Sequence, residues 1–465
     1  MDVYALLLSR LQFAFTIAFH IIFPSFTIGL ASYLAVLEGL WLASGNAVFK
    51  TLYLFWLKIF AISFGMGVVT GVVMSYELGS NWSVFSAQAS PVIGPLLAFE
   101  VLTAFFLEAS FLGIMLFGWR KVGRGLHFTA TLLVAIGTLI SAFWIISANS
   151  WMQYPAGFAH TPAGGLIATD WMAVIFSPSF PARLAHMTLA AYLTTALVVG
   201  AASAWRLLKD PDEAASATAL RMAIGMLAIV APLQLIAGDV SGKEVRRLQP
   251  AKLAAVEAFW ETRTAQPFHI VAWPDPKTET NRWELSIPGL GSWITAGDAK
   301  AEVTGLKAFA PEDRPPVAIV FYAFRVMVGL GVAMIGLGAW GAWLALRGGP
   351  DRSRAFLWAT VAMGPAGFVS VIAGWVVAEV GRQPYVIYGV LRTAEAVSPV
   401  GAGQVSASLI GFLAVYATIF SVGVLYILRL IGAGPADGAD DETPQMPRAP
   451  GSALAAVPQD LGAPS

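Results

Sequence analysis

The chain has 465 residues, 57% hydrophobic and only 12% charged, with a mean hydropathy of +0.70. Soluble domains carry about 25% charged residues, so most of this chain belongs in lipid, and the expected class is an all-α polytopic membrane protein. Its 28 basic and 28 acidic side chains cancel, which removes any bulk electrostatic case for nucleic acid; the lack of cysteine excludes disulfides, cysteine-ligated iron–sulfur clusters and C-x-x-C-H haem attachment.

Nine apolar segments are long enough to span, at 13–37, 52–76, 92–117, 126–149, 186–207, 219–238, 317–346, 356–379 and 402–429, against the ~20 residues a bilayer needs. The first follows a single Arg without a small-residue cleavage pattern, so it reads as a retained helix. Segment 317–346 is long enough to tilt or project. One alternating set of loops holds Lys50, Arg120, Lys121, Arg124, Arg206, Lys209, Arg221, Arg347, Arg352, Arg354 and Arg429. The other holds little beyond Arg10, Arg183, Arg382 and Arg392. The positive-inside rule therefore puts the N-terminus outside and the C-terminus in the cytoplasm.

Three parts follow: helices one to six over 1–238, an outer loop over 239–316, and helices seven to nine over 317–431. The loop is polar and carries Trp260, Trp273, Trp283 and Trp293, which argue for partial order at the interface. Beyond 432 the Ala/Gly/Pro/Asp-rich sequence predicts a disordered cytoplasmic tail.

Ionisable groups inside spans cost ~2.5–3.5 kcal/mol each, so each needs a reason. The candidates are His20, Lys58, Glu100, Glu108, Arg325 and Glu379, with His186 at the start of the fifth span and Met327 inside the seventh. His20, Glu100, His186, Met327 and Glu379 all fall in the outer half of their spans, beneath the large loop. Any metal must be held by His, Met or carboxylate. His186 and Met327 suit a six-coordinate haem with a raised potential. His20 and Glu379 each suit a five-coordinate haem with an open face, and an open face is what oxygen needs.

Trp375 and Glu379 share a helix face, which suits an indole lying against a macrocycle. Arg382, past the helix end, suits bidentate carboxylate binding. Arg325 lies nearly opposite Met327 on its helix and must reach around to meet a propionate. Glu100 and Glu108 are eight residues apart, ~12 Å along one helix and about 80° around it, and suit the steps of a proton relay. Taken singly, each has a blander reading: interfacial histidine, core methionine, helix-end ion pair, or neutral structural carboxyl. Lys58 reads as a snorkelling side chain, and His127 as interfacial.

Several stretches together resemble subunit I of the bd-type quinol oxidases. They are Arg10 to His20, the Glu100/Glu108 helix, Ala148 to Gln153, His186, Gln249 to Glu257, Phe324-Arg325-Val326-Met327, and Gly381-Arg382-Gln383-Pro384. The resemblance implies that His186 and Met327 ligate a low-spin haem b. It implies that His20 and Glu379 ligate two high-spin haems, one b and one d, in an order left open. It places Glu100 at the oxygen-reducing haem, Glu108 on the proton path, Trp375 between haems, and Lys252 and Glu257 in quinol oxidation. Arg10, Arg325, Arg382 and Arg392 would contact propionates.

Tyr385 stands where many members have Trp, and the outer loop lacks an insertion that some members carry after the quinol-binding part. Both features suit the cyanide-insensitive branch, in which a further haem b replaces haem d. The expected setting is the bacterial inner membrane, with a second large membrane subunit, a small single-helix subunit, membrane quinol and O2 as partners, and no nucleic acid. The rival reading is an ion-coupled transporter with Glu100 and Glu108 as its relay; it calls for inverted repeats and midplane sites on broken helices.

Overall fold

The computed structural model describes residues 3–435. Among these, nine helical stretches are long and apolar enough to cross a membrane. They are α1 (Val3–Ser44), α2 (Ala47–Ser80), α3 (Ser83–Glu100) running through a π-helical turn (Val101–Phe105) into α4 (Phe106–Phe117), and α5 (Arg124–Gln153). The short α6 (Trp171–Ile175) precedes α7 (Phe180–Leu207), and α8 (Ala214–Leu248) precedes the short α9 (Pro250–Glu257) and α10 (Leu290–Ala296). Then come α11 (Val317–Leu346), α12 (Arg354–Met363) leading into α13 (Ala366–Val380), the one-turn α14 (Thr393–Ala396), and α15 (Ala402–Ala433).

The helices outrun the apolar windows. The first reaches back to Val3 and on to Ser44, and the sixth continues to Leu248, ten residues past its expected end at 238. Hydropathy measures the lipid thickness, whereas the backbone hydrogen-bond ladder continues until a cap or turn stops it. Asn46 provides one such cap: its side chain accepts from the Val48 N–H at 3.0 Å, after Gly45 has turned the chain at φ +69°. The last helix, α15, runs to Ala433, so residues 432–433 of the stretch expected as a tail are helical; residues 436–465 lie outside the described residues.

Helix packing is close where small residues meet. A Cβ on Gly29 would lie 2.4 Å from Thr195 Oγ1, and that hydroxyl donates to the Phe26 carbonyl at 2.9 Å. Only glycine lets α1 sit this near α7. The largest buried cluster, including Leu30, Leu34, Tyr53, Trp56 and Phe60, fills the space between α1, α2, α5 and their neighbours.

The two ends differ. At one, short turns join the helices, and Arg206 pairs with Glu213 and donates to the Gly432 carbonyl. At the other, the connections form a folded cap of two-stranded antiparallel sheets: β1 (Phe158–His160) with β2 (Leu166–Ala168), β3 (Arg263–Thr264) with β6 (Glu302–Val303), β4 (Phe268–Asp275) with β5 (Thr280–Ile287), and β7 (Tyr385–Ile387) with β8 (Leu391–Arg392). The β4–β5 hairpin pairs Phe268 with Ile287 and Asp275 with Thr280. The long segment after α8 is thus ordered, and Phe259, Trp260, Leu306 and Phe321 pack it onto the start of α11.

Candidate functional site

Beneath the cap, α5, α7, α9 and α13 meet around Glu379. Its Oε1 accepts from Asn149 Nδ2 and from Gln153 Nε2, each at 3.0 Å, and its Oε2 pairs with Arg382. Arg183 donates to Asn149 and, at 3.2 Å, to Ser150 Oγ. Lys252 Nζ donates to Gln153 Oε1 at 2.5 Å. Lys252 and Arg382 are 3% and 5% exposed and lie beside the half-buried Arg183 and Glu379, so three basic side chains gather around one carboxylate. Burial, and after it the Arg183 charge, push the Lys252 ammonium well below its ordinary range. Burial also lowers Arg382, against the pull of Glu379. The Arg382 Nε and Nη1 atoms are buried and meet no acceptor among the described residues. Excess positive charge with unmet donors fits a ligand carboxylate.

Alongside lies a cavity of about 700 Å³, lined by His186, Met327, Gln234, Gln153, Arg183, Glu257 and Trp375, within the ~300–1,000 Å³ range of cofactor pockets. His186 on α7 and Met327 on α11 both face it. Gln234 Nε2 lies 3.2 Å from His186 Nε2. A Cβ on Gly238 would lie 3.5 Å from His186 Cε1, and one on Gly374 would lie 3.1 Å from Met327 Sδ, so both side chains lie against glycine-bared helix faces.

At the cap edge, Arg325 Nη2 pairs with Glu257 at 2.8 Å while its Nε donates to the His269 carbonyl at 2.7 Å. Arg325 Nη1 is buried without a partner among the described residues. Glu257 is 2% exposed, so parting this pair costs about 3–5 kcal/mol.

His20 is held elsewhere, between α1 and α2. Its Nδ1 lies 2.9 Å from Thr70 Oγ1, and that hydroxyl already donates to the Gly67 carbonyl at 2.8 Å. With the hydroxyl proton spent on the backbone, the ring must be the donor. The Nδ1–H tautomer follows, and Nε2 is left with a free lone pair for a metal.

Glu100 and Glu108 both face α5. Ser141 Oγ donates to Glu100 Oε1 at 2.8 Å, and a Cβ on Gly137 would lie 2.7 Å from Glu108 Cγ. The expected 80° divergence is therefore corrected. The π turn, closed by the Phe106 N–H on the Val101 carbonyl, takes up one additional residue. Eight residues then turn the chain about as far as seven would, two full turns, and the two carboxyls fall on one face.

The remaining candidates are spread out. Arg392 pairs with Asp313 and stacks on Tyr385, whose hydroxyl donates to Asp313 at 2.9 Å. Arg10 is exposed near the start of α1, and Lys58 is exposed on α2. His127 is buried rather than interfacial, bonded through Nδ1 to Glu38 Oε1 at 2.7 Å. Sequence reasoning missed the roles of Arg183, Thr70 and Gln234: Arg183 counted as a loop charge, and the other two are unremarkable polar residues until a histidine is seen beside each.

The geometry can be set beside known proteins. The family model for cytochrome bd terminal oxidase subunit I matches residues 8–435. The chain is 34% identical to cytochrome bd-II ubiquinol oxidase subunit 1 of Escherichia coli (strain K12), over 91% of this chain and 95% of that protein. It is also 34% identical to cytochrome bd ubiquinol oxidase subunit 1 of Bacillus subtilis (strain 168), over 92% and 94%. Among solved structures, the bd oxidase of Geobacillus thermodenitrificans matches with a TM-score of 0.87 at 31% identity, covering 94% of this chain and 100% of that one.

Proposed function

The chain belongs to the cytochrome bd terminal oxidase subunit I family, and from that premise we propose that it is the haem-bearing subunit of a bacterial inner-membrane oxidase that takes electrons from membrane quinol and reduces O2 to water. The observation that carries this reading is the cavity between His186 and Met327, with buried, unmet arginine donors beside it. It joins an apolar slot, two ligands of the right chemistry and a place for carboxylate groups, which is the donor set a haem requires. His186 and Met327 would hold a low-spin haem b. His20, through Nε2, and Glu379 would hold the two high-spin haems, b with d or with a further b. When bound, the haems supply the one-electron and oxygen chemistry.

The protein's own groups would then bind, orient and move protons. Lys252 and Glu257 serve quinol oxidation: the buried Lys252 amine, with its proton affinity lowered, can take up and release a proton, and Arg325 holds Glu257 in place. Arg10, Arg325, Arg382 and Arg392 would contact propionates, and Trp375 would lie between haems. Glu108 and then Glu100 carry protons along α5, with Ser141 orienting the second carboxyl. If quinol protons leave outside and substrate protons enter from the cytoplasm, the reaction generates proton-motive force without a pump. A second large membrane subunit completes the enzyme, with a small single-helix subunit beside it.

A dithionite-reduced-minus-oxidised optical spectrum of the purified complex tests the reading. Bands of b-type haem are expected: an added far-red band assigns haem d, and b-type bands alone assign haem b to every site, as in the cyanide-insensitive branch. Folded protein without haem bands would return the ion-coupled transporter to first place.

A further inference from the structure

One buried carboxyl takes no part in this mechanism. Glu77, near the cap end of α2, is 0% exposed, and neither of its oxygens makes a hydrogen bond of ordinary geometry among the described residues, although the Thr16 hydroxyl lies close to the carboxyl. Its surroundings are polar in register. On α1, Ser9, Gln12 and Thr16 lead at three- and four-residue spacing to His20 and are themselves fully buried. On α2, Thr70 lies seven residues before Glu77, and Asn81 four after, on the same face. From α15, Ser408 donates to Gln12 Oε1 at 3.0 Å, and buried Tyr416 lies close enough to feel the Glu77 charge.

The unmet atoms gather here. Ser9 Oγ, Gln12 Nε2, Asn81 Nδ2 and the Tyr416 hydroxyl are buried without a hydrogen bond of ordinary geometry among the described residues, as are the two carboxyl oxygens of Glu77. Buried polar groups are almost always satisfied by protein or by ordered water. A seam that concentrates so many unmet donors around one carboxyl suits a file of water molecules. The seam ends on the Thr70 hydroxyl, which holds His20 at 2.9 Å. Glu77 is about 10 Å from Thr70 along the helix axis.

We propose that Glu77 is a proton-exchanging group in a hydrated seam between α1, α2 and α15, and that it takes up one proton when the haem held by His20 gains one electron. The step balances: quinol supplies the electron, water in the seam passes a proton to the Glu77 carboxylate, and reoxidation returns both. The added negative charge at the haem attracts the proton, and the seam offers it a way in from the cap end. Among the described residues, Tyr416 is the titratable side chain near enough to couple to the Glu77 charge, and Arg10, beside Ser9, is exposed. The inference rests on the reading of His20 as a haem ligand.

The test is reduced-minus-oxidised infrared spectroscopy of the purified holo-complex, with visible spectra of the same samples. Glu77→Gln should remove a carboxyl C=O difference band, and Tyr416→Phe, which deletes one hydroxyl, should displace that band. Both should keep their visible haem bands. An unchanged carboxyl region in both variants overturns the proposal; if Glu77→Gln fails to assemble, Tyr416→Phe decides alone. Missing haem bands in the unaltered protein would reject the His20 reading instead.

Discussion

Gly137 shows how a residue with no chemistry of its own sets the position of one that has it. A Cβ at this point of α5 would lie 2.7 Å from Glu108 Cγ and 3.0 Å from Leu107 Cδ2, so α4 closes on α5 only because position 137 is bare. Gly137→Ala must push the Glu108 side chain aside or part the helices, an overpacking cost of about 1–3 kcal/mol. If Glu108 delivers protons, oxygen consumption should fall on the order of 10-fold to 100-fold, as a misplaced catalytic group does, while the haem spectrum stays intact. An oxygen electrode and a visible spectrum check both halves; full activity in a folded variant would remove Glu108's position from the mechanism. Thr70 acts in the same indirect way on His20, by fixing which ring nitrogen is free. Such pairings were illegible in the sequence, where Gly137 and Thr70 are ordinary small residues of apolar segments. The ionisable partners were legible, because a charge inside a span always asks for a reason.

At the scale of the element, nine helices could be counted from hydropathy, but their ends and one internal irregularity could not. Glu38 and Glu77 fall one residue beyond the windows at 37 and 76, so both escaped the search for intramembrane charge; yet both are buried, because the helices continue past the lipid-sized run. The π turn at Val101–Phe105 leaves no mark in composition either, and it is what brings Glu100 and Glu108 onto one face. Removing one residue from it would restore α-geometry and leave the two carboxyls seven residues, about 20° of rotation, apart, still on one face. Leu102 is the residue to delete, since it is 63% exposed and contributes little packing. Because the deletion keeps the shared face, oxygen reduction should stay well above the level of Glu108→Gln, with haem content retained. Turnover as low as that of Glu108→Gln would show that proton delivery does not follow from the shared face alone.

At the scale of the whole molecule, the energetic output depends on which end faces which compartment. The short-turn end carries Lys50, Arg120, Lys121, Arg124, Arg347 and Arg352, and the folded cap lies at the other end with Lys252, Glu257 and the Glu379–Arg382 pair beneath it. Basic residues in short loops favour the cytoplasmic side, so the cap should face outward. Quinol protons released there and substrate protons drawn from the basic end would then move in the sense that builds proton-motive force. The opposite orientation, with the same residues and the same chemistry, would dissipate it. The chain makes this directly measurable, because it contains no cysteine. A cysteine at the exposed Lys277, in the turn between β4 and β5, should react with a membrane-impermeant maleimide in intact spheroplasts. One at the exposed Lys121 should react only after permeabilisation. Labelling in the reverse order would invert the molecule in the membrane, and quinol oxidation at the cap could no longer be the electrogenic step.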